Sequence, residues 1–276
     1  MKFGISTFIT DDGIRPDTLG RAVEVRGFST LVVAEHSHIP TSRESPYPGG
    51  GDLPRKYYRT LDPFVALTAV AAATSTLRIG TGIALLPQRD VIHTANEVAS
   101  LDVVSEGRFV FGVGVGWNRE EMRNHGTDPR TRGALMDEQL AALKEIWTAE
   151  EAEYHGTHVD FDPITMWPKP VQRPHPPIYV GGESEAALRR LATLGDGWLP
   201  RAGTPPEEIA RVRRWLADQG REDVGFTSFG VPADPELIDG LAEAGVDEVA
   251  LMLETASTDE SLRALDDFAA LAARHG

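Results

Sequence analysis

Apolar and polar positions along this chain fall into a repeated pair of blocks. A short run of nearly continuous apolar residues is followed by a longer amphipathic stretch. The short runs predict strands over 2–8, 30–34, 77–85, 108–115, 178–181, 197–199, 225–229 and 246–253. A strand that is apolar at successive positions is buried on both faces, which is the mark of a parallel sheet covered by helices. The intervening stretches predict helices over 16–26, 62–74, 91–105, 132–148, 184–194, 205–219, 235–244 and 259–274. Their ends carry the expected punctuation. Gly27 stops the first helix, Asp62 can cap the second with Pro63 in its first turn, and Gly195 closes the fifth.

Two segments break the rhythm. Residues 36–60 form a long loop rich in Pro, Gly and Arg. Residues 150–176 begin with EYHGTHVDF, a small hairpin turning at His155–Gly156, and continue into the proline-rich MWPKPVQRPHPP. Nothing in the composition cuts the chain in two, and a doubly wound open sheet would use fewer strands. The predicted fold is therefore α/β, a (β/α)8 TIM barrel spanning 1–276 as one domain, with insertions after strand two and before strand five. Its 276 residues suit a fold of about 250. In such a barrel the chemistry sits at the C-terminal ends of the strands.

Charge narrows the partners. The 27 basic and 42 acidic residues leave a net charge of −15, a field that repels nucleic acid and anionic membranes. A small-molecule substrate is expected instead. Cysteine is absent, which excludes disulfides, a thiolate nucleophile and Cys-ligated metal. The amino-terminal MKFGISTFITDDG lacks the basic start and long apolar core of a signal peptide, and no apolar window spans a bilayer, so a cytoplasmic location is expected.

The strand ends supply the candidate chemistry. Strand two ends in Glu35, His36 and His38. His-x-His also occurs in metallohydrolases, but further ligands are lacking at the other strand ends, so no metal is assigned and a proton-handling pair is expected. Strand three ends in Gly80, Thr81, Gly82 and Ile83, where glycines in a buried strand point to a bulge or to a ligand against backbone. Strand four ends in Gly112, Gly114, Gly116 and Trp117. This imitates a dinucleotide fingerprint, but Trp117 replaces the third glycine and no acidic residue follows at the next strand end, so a Rossmann reading is rejected. Strand five runs through Gly181, Gly182, Glu183 and Ser184 into a helix. That is an arrangement for anion binding by amides, or for ordinary capping by Ser184.

Taken together, AEHSHIP, LRIGTGIALLPQRD, NEVASLDVVSEGRFVFGVGVGW and PPIYVGGESEAALRRLATLGDGW resemble the luciferase-like monooxygenase superfamily, and within it the branch dependent on the deazaflavin coenzyme F420. The resemblance implies a tricyclic ring at the strand ends, lying against a bulge with a non-proline cis bond at Gly82–Ile83. It implies contacts from Thr81, Gly114, Gly116 and Trp117, and a phosphate met by Gly181, Gly182, Glu183 and Ser184. It places an acid–histidine pair, Glu35 and His36, near the reactive ring carbon, with Glu35 orienting His36. Trp117 stands where sugar-phosphate dehydrogenases of this branch carry a glutamate, which disfavours that substrate. Arg43, Arg55, Lys56 and Arg59 are expected to meet the cofactor's anionic tail, with a solvated loop as the alternative. A homodimer through 66–73 and 91–105 is also implied. Two other functions remain open: an FMN-dependent monooxygenase with the same barrel, and a non-catalytic flavin- or ligand-binding barrel.

Overall fold

In the computed structural model, which describes residues 1–201 and 203–275, the strand–helix rhythm closes into a barrel. The elements run β1 (Lys2–Thr7), α1 (Pro16–Val25), β2 (Thr30–Val33), α2 (Pro63–Ala73), β3 (Arg78–Thr81), β4 (Ala84–Leu85), α3 (Val91–Val104), β5 (Phe109–Gly114), α4 (Arg119–Asn124), α5 (Arg132–Thr148), β6 (Ala152–His155) and β7 (Asp160–Ile164). They continue with β8 (Ile178–Gly181), α6 (Glu185–Leu194), β9 (Gly197–Leu199), α7 (Pro206–Ala217), β10 (Gly225–Val231), α8 (Pro235–Glu243), β11 (Glu248–Leu253) and α9 (Thr258–Ala272).

The sheet runs β3-β2-β1-β11-β10-β9-β8-β5-β4, and β3 also pairs with β5, so no edge is left open. The barrel ladders are parallel. β3 and β4 are two halves of one barrel strand: Gly80 pairs with Val110, the chain swells over residues 82–83, and Ala84 rejoins β5 at Val113. The expected strand over 77–85 is thus interrupted where its glycines fall. The hairpin turns where expected, His155 pairing with Asp160.

Burial follows the pattern that predicted the strands. Every residue of β2 and β5 is buried. Against the outer face of the sheet, Trp147 of α5 meets Phe111 edge-on and donates its indole N–H to the Ala95 carbonyl at 3.0 Å. Asp62 caps α2 by accepting from Val65 N at 3.0 Å.

One helix escaped the sequence pattern. α4 has six residues, too few to show a period, although Asn118 caps it and two acids sit in its first turn. It lies directly after the end of β5, beside the barrel mouth.

Candidate functional site

The bulge between β3 and β4 dominates the C-terminal end of the barrel. Gly82–Ile83 is a cis peptide bond, as the resemblance implied. Gly82 N donates to the Val33 carbonyl at 2.7 Å, and Thr81 Oγ1 donates to the Gly112 carbonyl at 2.6 Å, so both neighbouring strands grip it. Ile83 is half-buried at the mouth.

The glycines of the next strands make room for this bulge. A Cβ on Gly112 would stand 1.9 Å from the Thr81 carbonyl oxygen, and one on Gly114 would stand 2.0 Å from Ile83 Cδ1. A Cβ on Gly181 would meet Ile83 Cγ2 at 3.0 Å. Only side-chain-free strands let Ile83 lie flat across the barrel end. Gly116 takes φ +72°, a conformation that L side chains rarely adopt, and turns the chain from β5 toward α4.

The sequence brought Glu35 and His36 together as a pair, and the structure separates them. Both residues lie just past the end of β2, and each finds its partner on a different element. Glu35 turns toward the bulge, where it accepts from Leu85 N at 2.6 Å and from Arg89 Nε at 2.8 Å. Arg89 also reaches Asp62 and Glu97, and stacks 4.6 Å above the Phe64 ring. Burial opposes its charge, but the Glu35 carboxylate foremost, with Glu97 and Asp62, more than offsets this and holds its pKa above the ordinary value. Glu35 therefore buttresses the bulge and does not orient His36.

His36, 7% exposed, is held by Glu121 of α4, a fully buried carboxylate. Its Nδ1 lies 2.9 Å from Glu121 Oε2, and Glu121 Oε1 accepts from Ser37 N at 3.2 Å. The next acid, Glu120, accepts from Ser45 N at 2.7 Å and from the Ser45 hydroxyl. Burial opposes its charge, and the Ser45 bonds outweigh it and keep its pKa low. Two consecutive acids of α4 thus pin two points of the 36–60 loop. The sequence pattern did not single out either acid. The signal was two acids in a first turn followed by a glycine at 126, a helix start and stop that placed α4 beside the mouth.

An aromatic wall faces the imidazole. The His36 ring lies 5.2 Å from Tyr57 and 5.8 Å from Trp117, and Tyr47 stands 5.3 Å from Tyr57 and 6.2 Å from Trp117. Burial first, then the Tyr47 hydroxyl, pushes the Tyr57 phenol up, so it stays neutral at physiological pH.

The turn after β8 is fixed from both sides and leads into a capped helix start. Gly182 takes φ +101°, and its carbonyl accepts from Trp198 Nε1 at 2.8 Å, which fixes the turn on β9. Ser184 is the cap of α6, its hydroxyl accepting from Ala187 N at 3.2 Å, so the capping reading holds for that oxygen. Glu183 accepts from Arg201 N at 2.7 Å and from Arg201 Nε at 2.7 Å. That pairing neutralises an acid beside an amide-rich helix start and leaves a guanidinium 70% exposed next to it.

Three of the four loop cations form ion pairs within the protein, while Arg43 forms none among the described residues and keeps a buried guanidinium nitrogen without a hydrogen-bond partner. Arg55 binds Asp12 at 2.9 Å, Lys56 binds Glu254 at 2.6 Å and Arg59 binds Asp11 at 2.6 Å. In an acidic protein these cations staple the loop to the ends of β1 and β11.

The residues present fit a flat cofactor with a phosphate. A half-buried Ile83 is flanked by side-chain-free strands, and a helix N-terminus stands beside it with its adjacent carboxylate neutralised.

Fold and site together define a closed parallel barrel with a bulged third strand and a buried His–Glu pair at its C-terminal end. The sequence profile of the luciferase-like monooxygenases matches residues 11–234, and the chain belongs to that family. An uncharacterised protein of Mycobacterium tuberculosis is 39% identical over 277 residues, covering 98% of each chain. An FMNH2-dependent dimethylsulfone monooxygenase of Pseudomonas putida is 33% identical over 178 residues, 61% of this chain and 48% of that one. Among solved structures, an F420-dependent secondary alcohol dehydrogenase in complex with an F420–acetone adduct superposes with a TM-score of 0.77 at 18% identity, covering 98% of each chain. No helix among the described residues is long and apolar enough to cross a membrane.

Proposed function

We propose that this protein is an F420-dependent oxidoreductase that moves a hydride between the deazaflavin and a small organic substrate. The observation that carries the reading is the buried His36–Glu121 pair just past the end of β2, at the same barrel end as the bulge of the adjacent strand β3 with its half-buried Ile83. When bound, the cofactor supplies hydride chemistry at its C5. A hydride that leaves an alcohol carbon, or reaches a carbonyl or alkene carbon, needs a matching proton transfer. His36 is the group at the mouth suited to that proton.

The chain's residues divide the remaining work. Ile83, backed by Thr81, Gly82 and Gly114, supports one face of the ring. Gly116 and Trp117 border it. The amides of Gly182, Glu183 and Ser184, fixed by Trp198, receive the phosphate, with Arg201 alongside. Tyr47, Tyr57 and Trp117 close the opposite side and exclude water from the imidazole.

A second reading, FMN-dependent monooxygenation, draws support from the 33% identity to the dimethylsulfone monooxygenase. The two separate in one redox screen. Reduced F420 is presented with a panel of ketones, aldehydes and enones, and reduced FMN with the same panel and oxygen. The F420 reading expects recovery of the deazaflavin's visible absorbance in a substrate-dependent way without oxygen uptake. Substrate-dependent oxygen uptake with FMN alone would replace it by the second reading.

A further inference from the structure

We infer that Glu121 is a positioning residue that fixes the tautomer of His36, so that Nδ1 carries the proton and Nε2 is the nitrogen that works at the barrel mouth. The inference rests on the reading of His36 as the proton-handling group, and it concerns atoms of this chain alone.

The argument is one of hydrogen-bond accounting. Glu121 has no exposed surface, and both of its oxygens are committed. Oε1 takes the Ser37 amide at 3.2 Å, a bond of one sense only, because a backbone N–H cannot accept. Oε2 faces His36 Nδ1 at 2.9 Å. A carboxylate accepts only, so a neutral imidazole here must donate from Nδ1. Among the described residues no hydrogen bond involves His36 Nε2. The flanking rings, Tyr57 and Trp117, lie within 5.2–5.8 Å of the imidazole and neither is charged. Glu121 itself is steadied from its own backbone, since Glu121 N donates to Asn118 Oδ1 at 3.1 Å.

The same accounting makes Glu121→Gln a tautomer switch. Ser37 N still requires an oxygen, so the amide oxygen must face it. The amide NH2 then faces Nδ1 and donates to it, which forces Nδ1 to accept and moves the imidazole proton to Nε2. An isosteric change thus reverses the proton's address without altering the shape of the site.

The test uses the full chain without cofactor. Long-range 1H–15N correlation spectra of 15N-labelled protein, assigned with a His36→Gln variant, are recorded at a pH where the imidazole is neutral. The expected result is an Nδ1–H tautomer in the wild type and an Nε2–H tautomer in Glu121→Gln. An Nε2–H tautomer in the wild type overturns the inference, as does an unchanged tautomer in a folded Glu121→Gln. The wild-type spectrum decides the matter by itself if the variant does not fold. Titrating the same wild-type sample with F420 keeps the two ideas apart. Absent binding with the expected tautomer defeats the cofactor reading and leaves the Glu121 assignment standing.

Discussion

At the scale of single residues, the site is built by what glycine permits and by which side chains find partners far away in sequence. Gly112 is the tightest case. A Cβ there would lie 1.9 Å from the Thr81 carbonyl, a backbone atom that cannot step aside. Gly112→Ala is expected to destabilise the fold by about 3 kcal/mol or more, at the upper end of overpacking costs, measured as a drop in the denaturation midpoint. A loss under about 1 kcal/mol would mean that the bulge can move. At this scale the sequence was legible in part. The cis bond at Gly82–Ile83 followed from the family resemblance, and His36 was singled out by its place at a strand end. The partner of His36 was not, because Glu121 lies 85 positions away and is brought in by a helix too short to show a period. The expected partner, Glu35, fails because its carboxylate is committed to the Leu85 amide and to Arg89.

At the scale of elements, the entry to β3 is fixed by a single carboxylate at the end of α1. Glu24 accepts from the amides of Ser75 (2.8 Å), Thr76 (2.6 Å) and Leu77 (2.9 Å), a run of donors just before the bulged strand. Burial works against its charge, and these amides overcome that and hold its pKa at about 2, against an ordinary 4.5. Because the folded value is depressed, the stabilisation is complete above the unfolded pKa and is lost as pH falls through the window from 4.5 to about 2. Glu24→Gln is expected to lower stability at pH 7 by an amount on the order of 1–3 kcal/mol, with the gap closing toward pH 2. Chemical denaturation at several pH values measures it; a gap independent of pH would show that charge plays no part. Elements were the most legible level of the sequence, since α5, β8 and β9 fall on their expected residues. The split between β3 and β4 was legible only through the glycines at 80 and 82, which pointed to a bulge or a ligand; the mostly apolar run over 77–85 by itself read as one strand.

At the scale of the whole molecule, the proposed function asks an acidic protein to take up an anionic cofactor. The net charge is −15, and the loop cations Arg55, Lys56 and Arg59 are spent on Asp12, Glu254 and Asp11. The molecule's field should therefore oppose the approach of F420, and salt should screen that opposition. Stopped-flow association rates are expected to rise between about 0.01 and 0.15 M ionic strength. Rates that fall steeply with salt would mean that a local cation cluster captures the anionic tail. The central claim is that the mouth around Ile83 and the start of α6 takes a deazaflavin. Its most direct measurement is an equilibrium fluorescence titration of the wild-type protein with F420 and, in parallel, with FMN. Saturable F420 binding with a Kd of about 10 μM or tighter, and FMN at least about tenfold weaker, is the result expected here. Tighter binding of FMN, or no saturable binding of either, would contradict it.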